Sequence, residues 1–281
     1  MHRQFHLTLF LTLVVWLLLA CGPVSVPAPG VAETSDRNAE SITLNVFAAA
    51  SLTDAFGEIG ENFSAANPGT EVVFNFVGSN QLATQIGQGA PADIFASANE
   101  TQMDAAVNSG RIISGTQRTF VRNRLVVITP RDNPANLTAL QDLAMPGVKV
   151  VFAAAEVPVG QYTLAFLDKA DADAALGSGY KNAVLANVVS YEQNVRAVLT
   201  KISLGEADAG VVYTSDVGVT ANSVTQIEIP DPLNTIATYP IAPLADSAQP
   251  ELAQQFIEYV LAPEGQQVLA RYGFIPITGE E

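Results

Sequence analysis

Residues 42–66 read ITLNVFAAASLTDAFGEIGENFSAA. The apolar, β-rich run Ile42–Phe47 predicts a strand, and Ser51–Ala66 predicts a helix. Between them lie only the small residues Ala48, Ala49 and Ala50, which let another segment or a ligand come close to the backbone. The pattern then recurs. Glu71–Val77 reads as a strand followed by a helix at Ser79–Gln88, and Ala92–Ala96 as a strand followed by a helix at Glu100–Asn108. Such repetition predicts an α/β fold built of βα units around a mainly parallel sheet.

The same alternation continues. Strands are expected at Arg124–Thr129, Val148–Phe152, Val188–Ser190, Ala209–Tyr213 and Ile236–Pro243, and helices at Val159–Ala170, Gln193–Leu204, Pro250–Leu261 and Pro263–Tyr272. Roughly 240 residues of this kind are large for one sheet and comfortable for two. No internal repeat is visible. Gly87-Gln88-Gly89 and Gly177-Ser178-Gly179 lack the third glycine and the preceding strand of a nucleotide-binding turn, and read as loop glycines.

The start of the chain differs from the rest. Leu7–Leu19 is apolar except for Thr8 and Thr12, too short to span a membrane and typical of an export signal over residues 1–20. It ends in Leu18-Leu19-Ala20-Cys21, which resembles the lipobox of bacterial lipoproteins and implies lipid on Cys21 after cleavage. Residues 21–41, rich in Pro, Val, Ala and Ser, read as a flexible tether.

Composition removes several mechanisms. With 13 Lys+Arg against 28 Asp+Glu, the net charge is −15. Loss of residues 1–20 removes Arg3 and no acid, giving 12 − 28 = −16. A chain this acidic is not expected to bind nucleic acid, whose affinity comes from Lys and Arg displacing counterions. His2, His6, Trp16 and Cys21 are the only residues of their types. The body therefore cannot build a Ser-His-Asp triad, a Cys-His dyad or a His- or Cys-ligated zinc site.

Helix starts after the strands are the places where chemistry can sit, because their first N–H groups are unsatisfied and carry partial positive charge. Ser51 reads as the N-cap of its helix, either as a plain cap or as part of an anion site. Ser79 follows Gly78 in the same arrangement, and in a parallel sheet the two helix starts share one edge. Pro158 and Gly160 flank Val159 and set a turn that leaves its N–H without an evident intrahelical partner. Tyr213 ends a strand, where a half-buried aromatic with its hydroxyl in water is the plain alternative.

Val46–Leu52, Ala90–Phe95, Val157–Gly160, Val211–Asp216 and Arg271–Phe274 together resemble the periplasmic molybdate-binding proteins of ABC importers, a type II substrate-binding family, over about Ile42–Ile277. The resemblance implies two α/β lobes joined by two crossing strands. These would be lobe I, 42–121 plus 235–281 with the C-terminal segment closing it, and lobe II, 122–234. It implies hydroxyl ligands at Ser51, Ser79 and Tyr213, backbone N–H donors at Val159 and Val195 as well as at the two serines, and no direct metal ligands. The expected ligand is molybdate and also tungstate, with no cofactor and no catalysis. The expected partners are an ABC permease, its ATPase subunit, and the membrane through Cys21, with the protein a monomer outside the cytoplasm.

None of the five contacts is Lys or Arg. A proton-free dianion can still be held by five to seven charge-assisted hydrogen bonds worth about 1.5–3 kcal/mol each. Hydrogen phosphate would bury an O–H without an acceptor. Sulfate carries no proton and can be excluded only by size, so another oxyanion such as sulfate is the alternative ligand. A ferric site, a hydrolase using Ser51 with Asp54, and a lipid-anchored adhesin are the remaining rivals.

Overall fold

The computed structural model describes residues 41–218 and 222–277. The export signal, Cys21 and the tether up to residue 40 lie outside them. The described elements, in chain order, begin with β1 (Ile42–Ala49), a single 3₁₀ turn (Ala50–Leu52), α1 (Thr53–Ala66), β2 (Thr70–Val77), α2 (Ser79–Gly87), β3 (Ile94–Ala96) and α3 (Glu100–Asn108). They continue with β4 (Arg118–Asn123), β5 (Leu125–Pro130), a 3₁₀ turn (Leu140–Ala144), β6 (Val150–Ala153), α4 (Pro158–Ala172), α5 (Tyr180–Ala186), β7 (Val188–Glu192) and α6 (Val195–Ser203). They finish with β8 (Ala209–Tyr213), α7 (Thr214–Val217), β9 (Val224–Glu228), β10 (Ala237–Pro243), α8 (Pro250–Leu261), α9 (Pro263–Arg271) and β11 (Ile275–Pro276).

Two sheets result, with helices packed on both. The first runs β11-β4-β10-β3-β1-β2 and the second β7-β6-β8-β5-β9. Each has a parallel block, β2-β1-β3 in one and β7-β6-β8 in the other, made by the βα units expected from the sequence. The remaining pairings, involving β4, β10 and β11 in the first sheet and β5 and β9 in the second, are antiparallel. Both sheets are therefore mixed: β10 and β5, which arrive from the other lobe, and β11 run against the βα strands, whereas β4 and β9, which leave for it, run with them.

The chain passes between sheets twice. It crosses first at Arg124, between β4 and β5, and then over residues 229–236, between β9 and β10. The expected boundary between residues 121 and 122 falls inside β4, which stays in the first sheet through Asn123. Asn234 ties the crossings together: its Oδ1 accepts from Leu125 N–H at 3.1 Å and its Nδ2 donates to Leu125 C=O at 2.9 Å. β4, β9, β11, α5 and α7 were not expected, being short or, as in Arg118–Asn123, polar and alternating only weakly.

Packing explains the patterns. β1 and β3 are covered on both faces, so their residues from Leu44 and from Ile94 are nearly all buried and apolar. In the first lobe Phe56 of α1 meets Phe120 of β4 at 5.6 Å and Phe256 of α8 at 6.0 Å, and Phe63 meets Phe256 at 5.1 Å. These tilted and edge-on contacts add to the area they bury. They lock the C-terminal helices onto α1.

Candidate functional site: a cleft between two sheet edges

Register decides where the helix starts fall. Ala49 at the end of β1 pairs with Val77 at the end of β2, so Ser51 and Ser79, two residues further on, emerge side by side. In the second sheet β6 is parallel to β7 and β8, so the starts of α4, α6 and α7 line up along its own edge. The two edges face each other across one pocket of about 210 Å³, counted out to its mouth. All five residues singled out in the sequence line it: Ser51 and Ser79 from the first lobe, Val159, Val195 and Tyr213 from the second. Ala49, Ala50, Gly78, Ala98, Val157, Pro158 and Asn194 complete the wall. Among the described residues no Lys or Arg lines it.

Ser51 departs from the expected cap. It lies inside the 3₁₀ turn, α1 starts only at Thr53, and neither helix has a side-chain cap bond. Its Oγ sits 3.0 Å from the Tyr239 hydroxyl instead. Ser79 is the first residue of α2, capped by Gly78, and its Oγ accepts the Ala98 N–H at 3.0 Å. Both serines are almost fully buried.

The opposite wall offers backbone donors. Val159 follows Pro158 in the first turn of α4, so its N–H has no intrahelical carbonyl to meet. Gly160 is required there: a Cβ would lie 2.1 Å from the Ala154 carbonyl oxygen, because this turn rests directly on the end of β6. Val195 is the first residue of α6, whose cap Asn194 accepts the Ala197 N–H at 3.0 Å. That bond satisfies the third N–H of the helix and leaves those of Val195 and Arg196 free of intrahelical partners.

Tyr213 is buried rather than half-exposed, and its hydroxyl makes no well-formed hydrogen bond with the protein. Its ring packs edge-on to Tyr239 at 5.8 Å and to Tyr162 at 6.4 Å. Burial raises the pKa of all three, that of Tyr162 to about 12, so each remains an O–H at neutral pH.

Charge sits behind the wall. Arg196, next to Val195, pairs with Asp54 of α1 across the cleft and with Asp216 of α7, 3.1 Å away. Asp216 is fully buried and accepts the Tyr213 N–H at 3.1 Å. Burial outweighs Arg196 and pushes its pKa up to about 7. Neutral amides close the rim between lobes: Gln81 donates to Gln193 at 3.1 Å, Asn99 to Gln161 at 2.9 Å and Gln102 to the Glu156 carbonyl at 3.2 Å.

Tyr239, Asn123 and Ala98 escaped sequence reading. Tyr239 lies mid-strand and Asn123 at a strand end, and nothing local ties either to Ser51, 188 residues from Tyr239. Chemically, the pocket presents hydroxyls and N–H groups from both lobes, without a nucleophile–base pair or a cluster of three or more metal-ligating residues among the described residues. No helix among them is long and apolar enough to cross a membrane.

Comparison with known proteins fits this architecture. Residues 44–275 match the model of a family described as bacterial extracellular solute-binding protein. The chain is 41% identical to the molybdate-binding protein ModA of Mycobacterium tuberculosis, covering 92% of each chain. It is 29% identical to a putative ABC transporter substrate-binding lipoprotein of Bacillus subtilis, covering 86% of this chain and 90% of that one. Among solved structures, the periplasmic molybdate-binding protein of Azotobacter vinelandii superposes with a TM-score of 0.72 at 20% identity, covering 84% of this chain and all of that one.

Proposed function

The chain belongs to the bacterial extracellular solute-binding proteins, and from that premise we propose that it captures molybdate, and tungstate with it, in the cleft between its lobes and delivers it to an ABC permease. The observation that carries this reading is a pocket of uncharged donors contributed by both lobes. Ser51, Ser79 and Tyr213 donate O–H groups, and Val159, Val195 and the two serines donate N–H groups, to the oxygens of a tetrahedral dianion. Helix starts and charge-assisted hydrogen bonds supply the attraction that Lys or Arg would otherwise give. The name of the 41% identical mycobacterial relative supports the choice of anion.

The anion meets the first lobe, and closure of the second brings Val159, Val195 and Tyr213 onto it. No covalent step and no cofactor is involved. The permease opens the loaded protein, and an ATPase subunit powers uptake. Lipid on Cys21 holds the monomer at the membrane face, a reading supported by the Leu18–Cys21 motif and by the name of the Bacillus relative.

Thermal unfolding with molybdate, tungstate, sulfate, phosphate and ferric citrate tests this. A ligand at about 100 times its Kd adds about 2.7 kcal/mol of stability. Molybdate and tungstate should raise the melting temperature, and Ser51→Ala should diminish that rise without unfolding the protein. A rise with sulfate alone would reassign the protein to sulfate, and no rise with any anion would end the oxyanion reading.

A further inference from the structure

Ser51 and Ser79 serve a deprotonated anion only if each points its single hydrogen into the cleft. For Ser79 the matter is decided by Ala98. A backbone N–H can only donate, so Ser79 Oγ accepts it and keeps its own hydrogen for the cleft. For Ser51 the 3.0 Å contact with the Tyr239 hydroxyl allows either atom to donate.

The layer behind resolves the direction. Asn123 Oδ1 accepts the Arg124 N–H at 2.9 Å and the Thr214 hydroxyl at 3.1 Å. The backbone donor sets the amide's orientation, since the reversed amide would press its NH₂ against that N–H. Asn123 Nδ2 therefore faces Ser215 Oγ at 2.8 Å and the Tyr239 oxygen at 3.4 Å, and donates to both. With its oxygen accepting from Asn123, Tyr239 must place its own hydrogen elsewhere. The Tyr213 hydroxyl lies near it without a well-formed bond, whereas Ser51 Oγ stands at 3.0 Å and takes that hydrogen. Asn123 and Tyr239 are fully buried and Ser51 is 3% exposed, so bulk water does not replace any of these partners.

We propose that Asn123 and Tyr239 form a one-way hydrogen-bond relay that directs the Ser51 hydrogen into the cleft and thereby selects anions that carry no proton. Neither residue lines the pocket; both are positioning residues. The proposal rests on the reading of Ser51 as an oxyanion donor and adds a cause for its polarity. Sulfate and hydrogen phosphate have equal charge and similar size and differ in one proton, so their ratio reads the relay apart from the fit of the pocket.

Tyr239→Phe removes one hydroxyl and keeps the ring that packs on Phe120, Tyr213 and Phe274. Molybdate affinity is measured by calorimetry for the unsubstituted protein, Tyr239→Phe, Ser51→Ala and the double variant, with melting curves as the check on folding. Tyr239→Phe should weaken binding about tenfold when Ser51 is present and not at all in the Ser51→Ala background. In displacement of molybdate at mildly alkaline pH, Tyr239→Phe should narrow the preference for sulfate over hydrogen phosphate about tenfold, since Ser51 Oγ is then free to accept the P–O–H hydrogen. Equal weakening in both backgrounds, or an unchanged sulfate-to-phosphate ratio, overturns the relay. If Ser51→Ala is weak and Tyr239→Phe is not, the relay alone falls. If Ser51→Ala binds like the unsubstituted protein, the site reading falls and takes the relay with it.

Discussion

Tyr213 shows at the residue scale how function is set against stability. Its hydroxyl is buried and lacks a well-formed hydrogen bond within the protein, a state that costs free energy and that the proposed ligand oxygen would relieve. Tyr213→Phe should therefore leave the ligand-free melting temperature unchanged or slightly higher, while molybdate affinity falls roughly ten- to a hundredfold. Paired melting and calorimetry check this, and a drop in ligand-free stability would show that the hydroxyl serves the fold. Tyr213 was legible in the sequence only as an aromatic at a strand end; its burial comes from Tyr162 and Tyr239, which no local pattern announces.

Among the elements, α6 concentrates the site's electrostatics. Its first residue, Val195, faces the pocket, its second, Arg196, holds Asp54 and Asp216, and its cap, Asn194, sets the entry of the chain. Asn194→Ala removes the bond to the Ala197 N–H and should cost about 1 kcal/mol of stability. It should also weaken molybdate binding, because the Val195 N–H loses its fixed direction. Denaturant unfolding together with calorimetry reads both effects, and a loss of stability with affinity untouched would remove α6 from the site. The strongly patterned elements, such as α1, α6 and β8, were legible because one stripe or both faces of each are buried. β4 and β9 owe their extended form to the partners they pair with, and so were not.

For the molecule as a whole, closure leaves a mark on Gly78. Its backbone, φ −60° and ψ 136°, suits any residue, yet a Cβ there would lie 2.6 Å from the Gln193 carbonyl across the cleft. Within its own lobe that Cβ meets only the end of the Asn80 side chain, 2.7 Å away, which can turn aside, so Gly78→Ala should spare the separated lobes and obstruct their closure. Its ligand-free melting temperature should stay near that of the unsubstituted protein, while molybdate binding weakens at least tenfold and ligand-induced compaction in solution scattering is lost. Unchanged affinity would mean that the lobes close without this contact. Asp216 adds a pH signature. Its carboxyl titrates at about 7 in the folded protein against an ordinary 3.8 when unfolded. Between these values the folded state binds the extra proton, so stability from this group falls as pH rises from about 4 to 7 and levels off above. Denaturant unfolding across that range should show the slope, and Asp216→Asn should abolish it; an unchanged slope would place its source elsewhere.

The βα rhythm, the hydroxyl- and glycine-bearing turns after strands, and the absence of histidine and cysteine from the body are local facts, written in consecutive residues. They determined the α/β class, the kind of chemistry to expect and the candidate residues. Tertiary structure alone decided that two sheets face each other edge to edge, that β10 and β11 run against the βα strands, and which groups stand behind the serines. Those outcomes depend on pairings between residues more than a hundred positions apart, such as Ser51 with Tyr239 and Arg196 with Asp54. Long-range contacts of this kind arise when buried surface and unpaired polar groups are satisfied together across the whole fold, and no short stretch of sequence encodes them.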